Sequence, residues 1–430
     1  MKIENNGSFT LKALLAVNLF IIQMYILFNG LWIFNKYSNP YALFITSLII
    51  PVYFLWLLIA ENYQIENKKV AIGTNILAGI LGIITIAICY QALQALFIKW
   101  DAPRYSDVIP QLETQYNRFS NGKFPYALVD LPGYQAYPVY MPLHWLPIAI
   151  PKYFGLDVRW VGIIFFAMTT FLYAYKIANN KADIIQKIVA IFLPSLVIWA
   201  YVLSANIDLP VSLETEIAAY YMVLAIGLAT RNLLIITIGI ILCLLSRYTM
   251  IFWLPLFLIL LFLNTPLKKN IWVWGSIFFS TLFIYIIPFY LKDPSILSQG
   301  ISYHNAAAIY EWNGCGHPPV SETFESGINF AHHMKDLFQS GDMTHRVFMA
   351  RVVQGSLILC LMLAGLLIHR RWRSKLNFYD LSLAMLYMVL LCFFMFGPLT
   401  YRYYYMPLFA VSAIICSKII LLSKPDSTDK

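Results

Sequence analysis

Carboxylates and guanidinium groups are scarce in this chain, so those present are the first candidates for chemistry. Asp107 lies near the start of residues 105–119, where Tyr105, Ile109, Leu112, Tyr116 and Phe119 recur in steps of four, three, four and three. That spacing marks one face of a helix. Asp107, Glu113 and Arg118 fall off the stripe. A helix resting on a membrane would turn Asp107 toward water or a cavity, in a first turn whose dipole favours a carboxylate. A carboxylate held this way can act as a general base. Asp107 and Asp101 can equally be solvated loop residues near a helix start, where acidic residues are common.

Arg247 and Arg402 stand in short connections between apolar runs. A planar guanidinium fork suits phosphate oxygens through paired, charge-assisted bonds. Each has a plainer reading. Arg402 snorkels from a helix end among interfacial tyrosines, and Arg247 is the counter-ion of a carboxylate such as Glu214. Asp208, Glu214 and Glu216 near another helix end either bind hydroxyls or a metal, or are charges facing the bundle interior. Five of seven histidines, His304, His317, His332, His333 and His345, fall within residues 292–346. No HExxH and no ligand-type i, i+4 pair occurs among them. No cofactor is expected, a divalent metal being the alternative.

The elements that must position these groups are membrane helices. Of 430 residues, 60% are hydrophobic and 12% charged, about half the charged share of a soluble domain. Many apolar runs approach the ~20 residues a spanning helix needs. In lipid every backbone polar group must pair internally, so spanning segments are helices or closed barrels. The runs are continuous rather than alternating, which excludes a barrel and gives an all-α, polytopic membrane protein. About 12 transmembrane helices are expected, over residues 13–34, 41–60, 70–98, 157–177, 186–204, 212–229, 232–247, 249–264, 271–291, 347–369, 378–398 and 403–423. Two long polar segments remain, 99–156 and 292–346, within a single domain, 1–430. Residues 13–34 read as a retained signal anchor. Of six cysteines only Cys315 lies in a long loop and no CxxC occurs, so neither a disulfide framework nor a cysteine metal site is supported.

The net charge of +9 is no nucleic-acid footprint, because most Lys and Arg sit in short connections. With the amino terminus in the cytoplasm, seventeen fall in cytoplasmic segments and three, Lys36, Arg247 and Arg402, in short outer connections. This positive-inside bias puts both termini in the cytoplasm and both long segments outside. Residues 140–154 look apolar enough to cross, but crossing would turn Lys176, Lys181 and Lys187 outward. Pro142, Pro147 and Pro151 also oppose an ordinary spanning helix. An interfacial helix is expected there.

Ser106-Asp107, then a helix-length gap, Asn121-Gly122-Lys123-Phe124-Pro125-Tyr126 and Tyr137-Pro138-Val139-Tyr140-Met141-Pro142-Leu143 form an ordered set. It resembles the GT-C superfamily of polyprenyl-phosphate-sugar-dependent glycosyltransferases, in particular the polyprenol-phosphate-mannose mannosyltransferase branch. Leu245-Ser246-Arg247-Tyr248-Thr249 and the segment from Thr400 to Leu408 are similar to that family's mid-chain basic residue and late Arg-Tyr-x-x-Pro-Leu helix start. The likeness covers roughly residues 99–410. The family's Tyr-Pro-Pro-Leu reads differently here, and two helices rather than one precede the acidic loop, which leaves residues 1–69 without a family role.

The resemblance implies an inverting transfer of a hexose, mannose by family likeness, from a polyprenyl-phosphate donor to a glycan or glycolipid acceptor hydroxyl. The reaction would occur on the outer face of a plasma (inner) membrane. Asp107 would be the base with Asp101 as runner-up, and Arg402 and Arg247 would hold the donor phosphate. Tyr126, Tyr137, Glu214, Trp312 and His317 would contact acceptor or sugar. Inversion follows from a single displacement, since retention would need a second, nucleophilic carboxylate. A transporter or flippase for lipid-linked sugars, needing the same arginines but no base, is the alternative.

Overall fold

The computed structural model describes residues 6–61, 63–101, 105–131, 134–204, 207–314 and 326–423, with side chains from residue 11 onward. All twelve apolar runs fold as helix. Eight helices among the described residues are long and apolar enough to cross a membrane. The pair Ile184–Phe192 and Ser195–Leu203, bent by 50°, makes a ninth if it is one span. Its bend falls at Pro194, which supplies no N–H to the helical ladder. Three expected spans are shorter than anticipated: Glu214–Ala229 has 16 residues, Leu233–Leu244 has 12 and Leu254–Asn264 has 11. Sixteen residues cover about 24 Å at the α-helical rise, less than the ~30 Å hydrocarbon core.

The bundle is layered around its last two helices. Phe378–Met395 and the span from Arg402 to Leu421 are 89% and 94% buried, whereas Leu267–Tyr290 and Met343–Trp372 are 17% and 22% buried. The first pair is therefore the core and the second pair the rim, presenting exposed residues such as Phe278, Phe283, Phe348 and Leu363 to lipid. Glu214–Ala229 packs inside with nearly every residue buried. Between packed apolar helices in lipid, close approach and polar contacts supply the association. A Cβ on Gly239 would stand 2.6 Å from the Leu224 Cα, so Leu233–Leu244 and Glu214–Ala229 meet backbone to backbone. Gln23 Nε2 donates to Ser412 Oγ at 2.6 Å and Tyr387 OH donates to Gln23 Oε1 at 2.8 Å. The helix Asn6–Asn29 thereby clasps the core helices.

The first long segment lies across one end of the bundle and does not span. It comprises the helix Val108–Ser120, an antiparallel hairpin of Val129–Leu131 with Tyr134–Ala136, and short helical pieces Pro142–Trp145, Leu146–Ile148 and Ala149–Tyr153 broken around the prolines. The hairpin is an addition to the sequence reading. So is the seat of the first helix: Ile109 and Leu112 do not rest toward lipid but pack with Tyr126, Trp145, Ile148 and Phe289 in a second apolar cluster, leaving Tyr105 and Phe119 exposed. Phe289 belongs to a π-helical stretch, Leu282–Tyr290, which contains Pro288. The missing proline N–H frees an upstream carbonyl and accounts for the widened turn. The second long segment carries Ser295–Trp312 and Ala331–Leu337. Tyr405 OH and Asn39 Nδ2 donate to the carbonyls of Ile328 and Gly327 at 2.6 and 3.0 Å, tying it to the bundle.

Candidate active site

Asp107 precedes the Val108–Ser120 helix at its N-cap, but its side chain makes no capping bond. Ser106 does that work: its Oγ accepts from the Ile109 N–H at 3.2 Å and donates to the Val211 carbonyl at 2.5 Å. The Asp107 carboxylate is left for other partners, Gln111 Nε2 at 3.5 Å and the Tyr134 hydroxyl. It is solvent-accessible yet walled by protein. Desolvation raises its pKa above the ordinary value, and hydrogen bonds from Tyr134 and backbone N–H groups only partly oppose the rise. Tyr140, Tyr303, Tyr401 and Tyr403 all lie within electrostatic reach of it. Asp107 thus opens into a tyrosine-lined recess.

Arg247 follows the Leu233–Leu244 helix in extended conformation and forms a buried ion pair with Glu214. Its guanidinium stands 4.9 Å from the Tyr404 ring centroid and 5.9 Å from that of Tyr140. Tyr140 therefore feels both Asp107 and Arg247. That tyrosine is itself fixed through its carbonyl, which accepts from Tyr126 OH at 3.1 Å and Gln115 Nε2 at 3.3 Å. His144 packs edge-on to it at 5.0 Å, and burial with Arg247 nearby pushes the imidazole well below its usual pKa. On the facing helix, burial together with Arg247 and Arg351 lowers His304 to about 4.

Arg351 sits along the inward stripe of Val347, Ala350, Gln354 and Ile358 on Met343–Trp372. Its Nε is buried without a hydrogen-bond partner, and no ion pair engages it among the described residues. An ionisable side chain inside an apolar helix marks a functional position by default. Arg402 opens the short 3-10 turn Arg402–Tyr404 that leads into the last helix. Its carbonyl accepts from Tyr201 OH at 2.8 Å, its Nε is buried and unpartnered, and its charge, like that of Asp208, reaches Tyr201.

The expected site residues separate into three groups. Asp107, Arg247 and Glu214 gather at the recess, while Arg402 is placed beside Tyr201. Glu214 is fully enclosed and bound to Arg247, the counter-ion arrangement left open by the sequence. Asp101 is exposed, and no hydrogen bond or ion pair among the described residues joins it to Asp107 or either arginine. Tyr126, Tyr137 and Trp312 are enclosed rather than displayed. Tyr126 is 3% exposed and holds Tyr140, while Trp312 is fully buried with Nε1 donating to the Pro398 carbonyl at 2.6 Å. Burial, with Asp293 and Tyr248 nearby, pushes the Tyr137 hydroxyl up to about 12. These rings offer a ligand no free face. His317 lies outside the described residues. His332 and His333 contact Tyr37 and Tyr41 at 4.3 and 5.0 Å. Among the described residues no group of three or more His, Cys, Asp or Glu is placed to hold a metal ion.

Tyr134, Tyr303 and Arg351 belong to the recess but escaped the sequence reading, and His304, weighed there only as one of five histidines, joins them. With 29 tyrosines in the chain, none stands out by type. Arg351 was legible in principle, as a charge near the start of the apolar run 347–369. The protein is an all-α, membrane-embedded chain with Asp107, Arg247 and Glu214 gathered at one end of the bundle. No protein-family model matches it, and no match is found among curated proteins or solved structures.

Proposed function

We propose that the chain is an inverting glycosyltransferase that moves a hexose from a polyprenyl-phosphate carrier to an acceptor hydroxyl of a glycan or glycolipid. Mannose is the sugar favoured by the GT-C resemblance. The reaction takes place on the non-cytoplasmic face of a plasma (inner) membrane, the termini lying in the cytoplasm and the chain crossing about twelve times. The acceptor oxygen attacks the anomeric carbon as its proton passes to Asp107. The bond from that carbon to the phosphate oxygen breaks, and the polyprenyl phosphate departs with the electron pair. The geometry favours Arg351 and Arg402 for holding the phosphate, since neither is neutralised by a carboxylate among the described residues. Arg247, matched to Glu214, positions Tyr140 and Tyr404. Fixed charges aimed at the site where charge develops stabilise the transition state without reorganising.

The observation that carries this reading is Tyr140, a single ring that feels a reachable, desolvated carboxylate and a guanidinium together. Its test is incubation of the purified protein with labelled polyprenyl-phosphate hexoses and candidate acceptors. Sugar transfer with one donor is the expected result. Absence of turnover with every donor would favour a transporter or flippase for lipid-linked sugars. The 50° bend between Ile184–Phe192 and Ser195–Leu203 is the feature that suits that second reading, because transporters use broken helices at their substrate sites.

A further inference from the structure

Fifteen residues separate Glu214 from Ala229 along their shared helix, about 22 Å of axis, and a different kind of site lies at the far end. A cavity of about 290 Å³ opens there among the ends of three helices, Trp160–Ile177, Glu214–Ala229 and Tyr405–Leu421. Its charged lining residues are Lys176, Arg231 and Lys418, all cationic. The nearest carboxylates are already engaged: Asp380 by Lys418 and by Arg231 at 3.2 Å, and Glu66 by Lys181 at 2.7 Å.

Asparagines complete the wall, and their orientation is telling. Asn179 Oδ1 accepts from the Val70 N–H at 3.3 Å, Asn180 Oδ1 from Ala182 at 2.7 Å and Asn232 Oδ1 from Ile235 at 3.1 Å. Each side chain spends its acceptor on backbone, which leaves the two N–H donors of its amide. Three cations against the single carboxylate of Asp380, together with amide donors, make a lining suited to an anion. Arg231, with φ of 56°, stands in the left-handed cap that ends the Glu214–Ala229 helix, closed by its N–H to the Leu228 carbonyl at 3.2 Å and the Asn232 N–H to the Gly227 carbonyl at 2.9 Å, a motif that holds the arginine at the cavity mouth.

We infer that this cavity binds a phosphate anion, carried by a lipid headgroup or free in solution, at the end of the bundle opposite Asp107. Basic pockets between membrane helices take acidic headgroups in this manner. The binding uses no residue of the proposed transfer reaction, so either reading can fail alone.

The experiment places the full chain in phosphatidylcholine nanodiscs and follows its thermal unfolding as phosphatidylglycerol, or in a second arm inorganic phosphate, is titrated. A saturable rise in Tm with phosphatidylglycerol alone assigns a lipid headgroup, and a rise with inorganic phosphate alone assigns a soluble anion. Asn179→Asp with Asn180→Asp keeps both backbone hydrogen bonds and replaces the cavity's amide donors by carboxylate oxygens. This double variant should weaken binding at least tenfold while leaving the ligand-free Tm and sugar transfer unchanged. Lys176→Gln, at a half-buried position remote from the helix contacts, should weaken it severalfold and serves if the double variant folds poorly. A wild-type protein that responds to neither anion, or variants that bind as tightly as wild type, would overturn the inference.

Discussion

The two ends of the Glu214–Ala229 helix both carry buried ion pairs, and they differ in what is left over once the pairs are made. At the Asp107 end Glu214 takes Arg247, leaving Arg351 and Arg402 without a carboxylate and Asp107 facing the recess. At the far end Asp380 serves two cations, Lys418 and Arg231, and the residual surplus is of donors alone. Surplus donors hold an anion. Surplus donors beside a reachable carboxylate can hold an anion and accept a proton as well, which is the minimum a sugar transfer from a phosphate carrier needs. The same helix thus separates a site equipped for chemistry from one equipped for binding.

Removing one partner of either buried pair is the harshest way to probe this contrast. Glu214→Ala and Asp380→Ala should each cost about 3–5 kcal/mol, since each strands a charge in the protein interior. Thermal unfolding in detergent measures the loss. The double variant of Glu214→Ala with Arg247→Ala should recover much of it, and simple additivity would show that the Glu214 pair is not the unit described here.

Crowding the Asp107 end acts more gently. A Cβ at Gly162 would overlap Thr215 Oγ1 and stand 2.9 Å from the Glu216 backbone nitrogen. Gly162→Ala should therefore cost about 1–3 kcal/mol by overpacking and depress transfer while leaving anion binding at the far end intact. Parallel assays of both activities on the one variant show whether the two ends are separable. The smallest effect belongs to Arg231→Gln. Its side chain is half-exposed and Asp380 keeps Lys418, so loss of an exposed pair should cost under about 1 kcal/mol, read from the same melting curves.

How much was legible in the sequence follows from how local each signal is. Apolar run length located the helices of the bundle, because spanning is decided within ~20 residues, but it gave no sign of the 18-residue helix Ser295–Trp312 in the second polar segment. Not every run gives a helix long enough to count as a span by length and composition: Leu233–Leu244 and Leu254–Asn264 are interrupted around Arg247 and shortened. The prolines of residues 140–154 break that stretch into short helical pieces. Asp107 and Arg247 drew attention because charge is rare in such a chain. Tyr126 and Trp312, named as ligand contacts from the sequence, are buried against the Tyr140 and Pro398 carbonyls, because aromatic residues serve as packing and as platforms with the same sequence signature. Tyr134 and Tyr303 reach Asp107 from segments distant in sequence, a closure that no local pattern encodes.

The central claim is that Asp107 accepts the proton of the attacking hydroxyl, and a pH profile of single-turnover sugar transfer by wild type and Asp107→Asn tests it most directly. Only the ionised carboxylate can act, and its pKa is raised by desolvation. Wild-type transfer should therefore fall as pH drops through a value above the ordinary ~3.9 of aspartate. The variant should be slower by about 10²- to 10⁴-fold and lack that acid limb, with expression and Tm preserved. Transfer by Asp107→Asn at the wild-type rate, with the acid limb intact, would contradict the assignment.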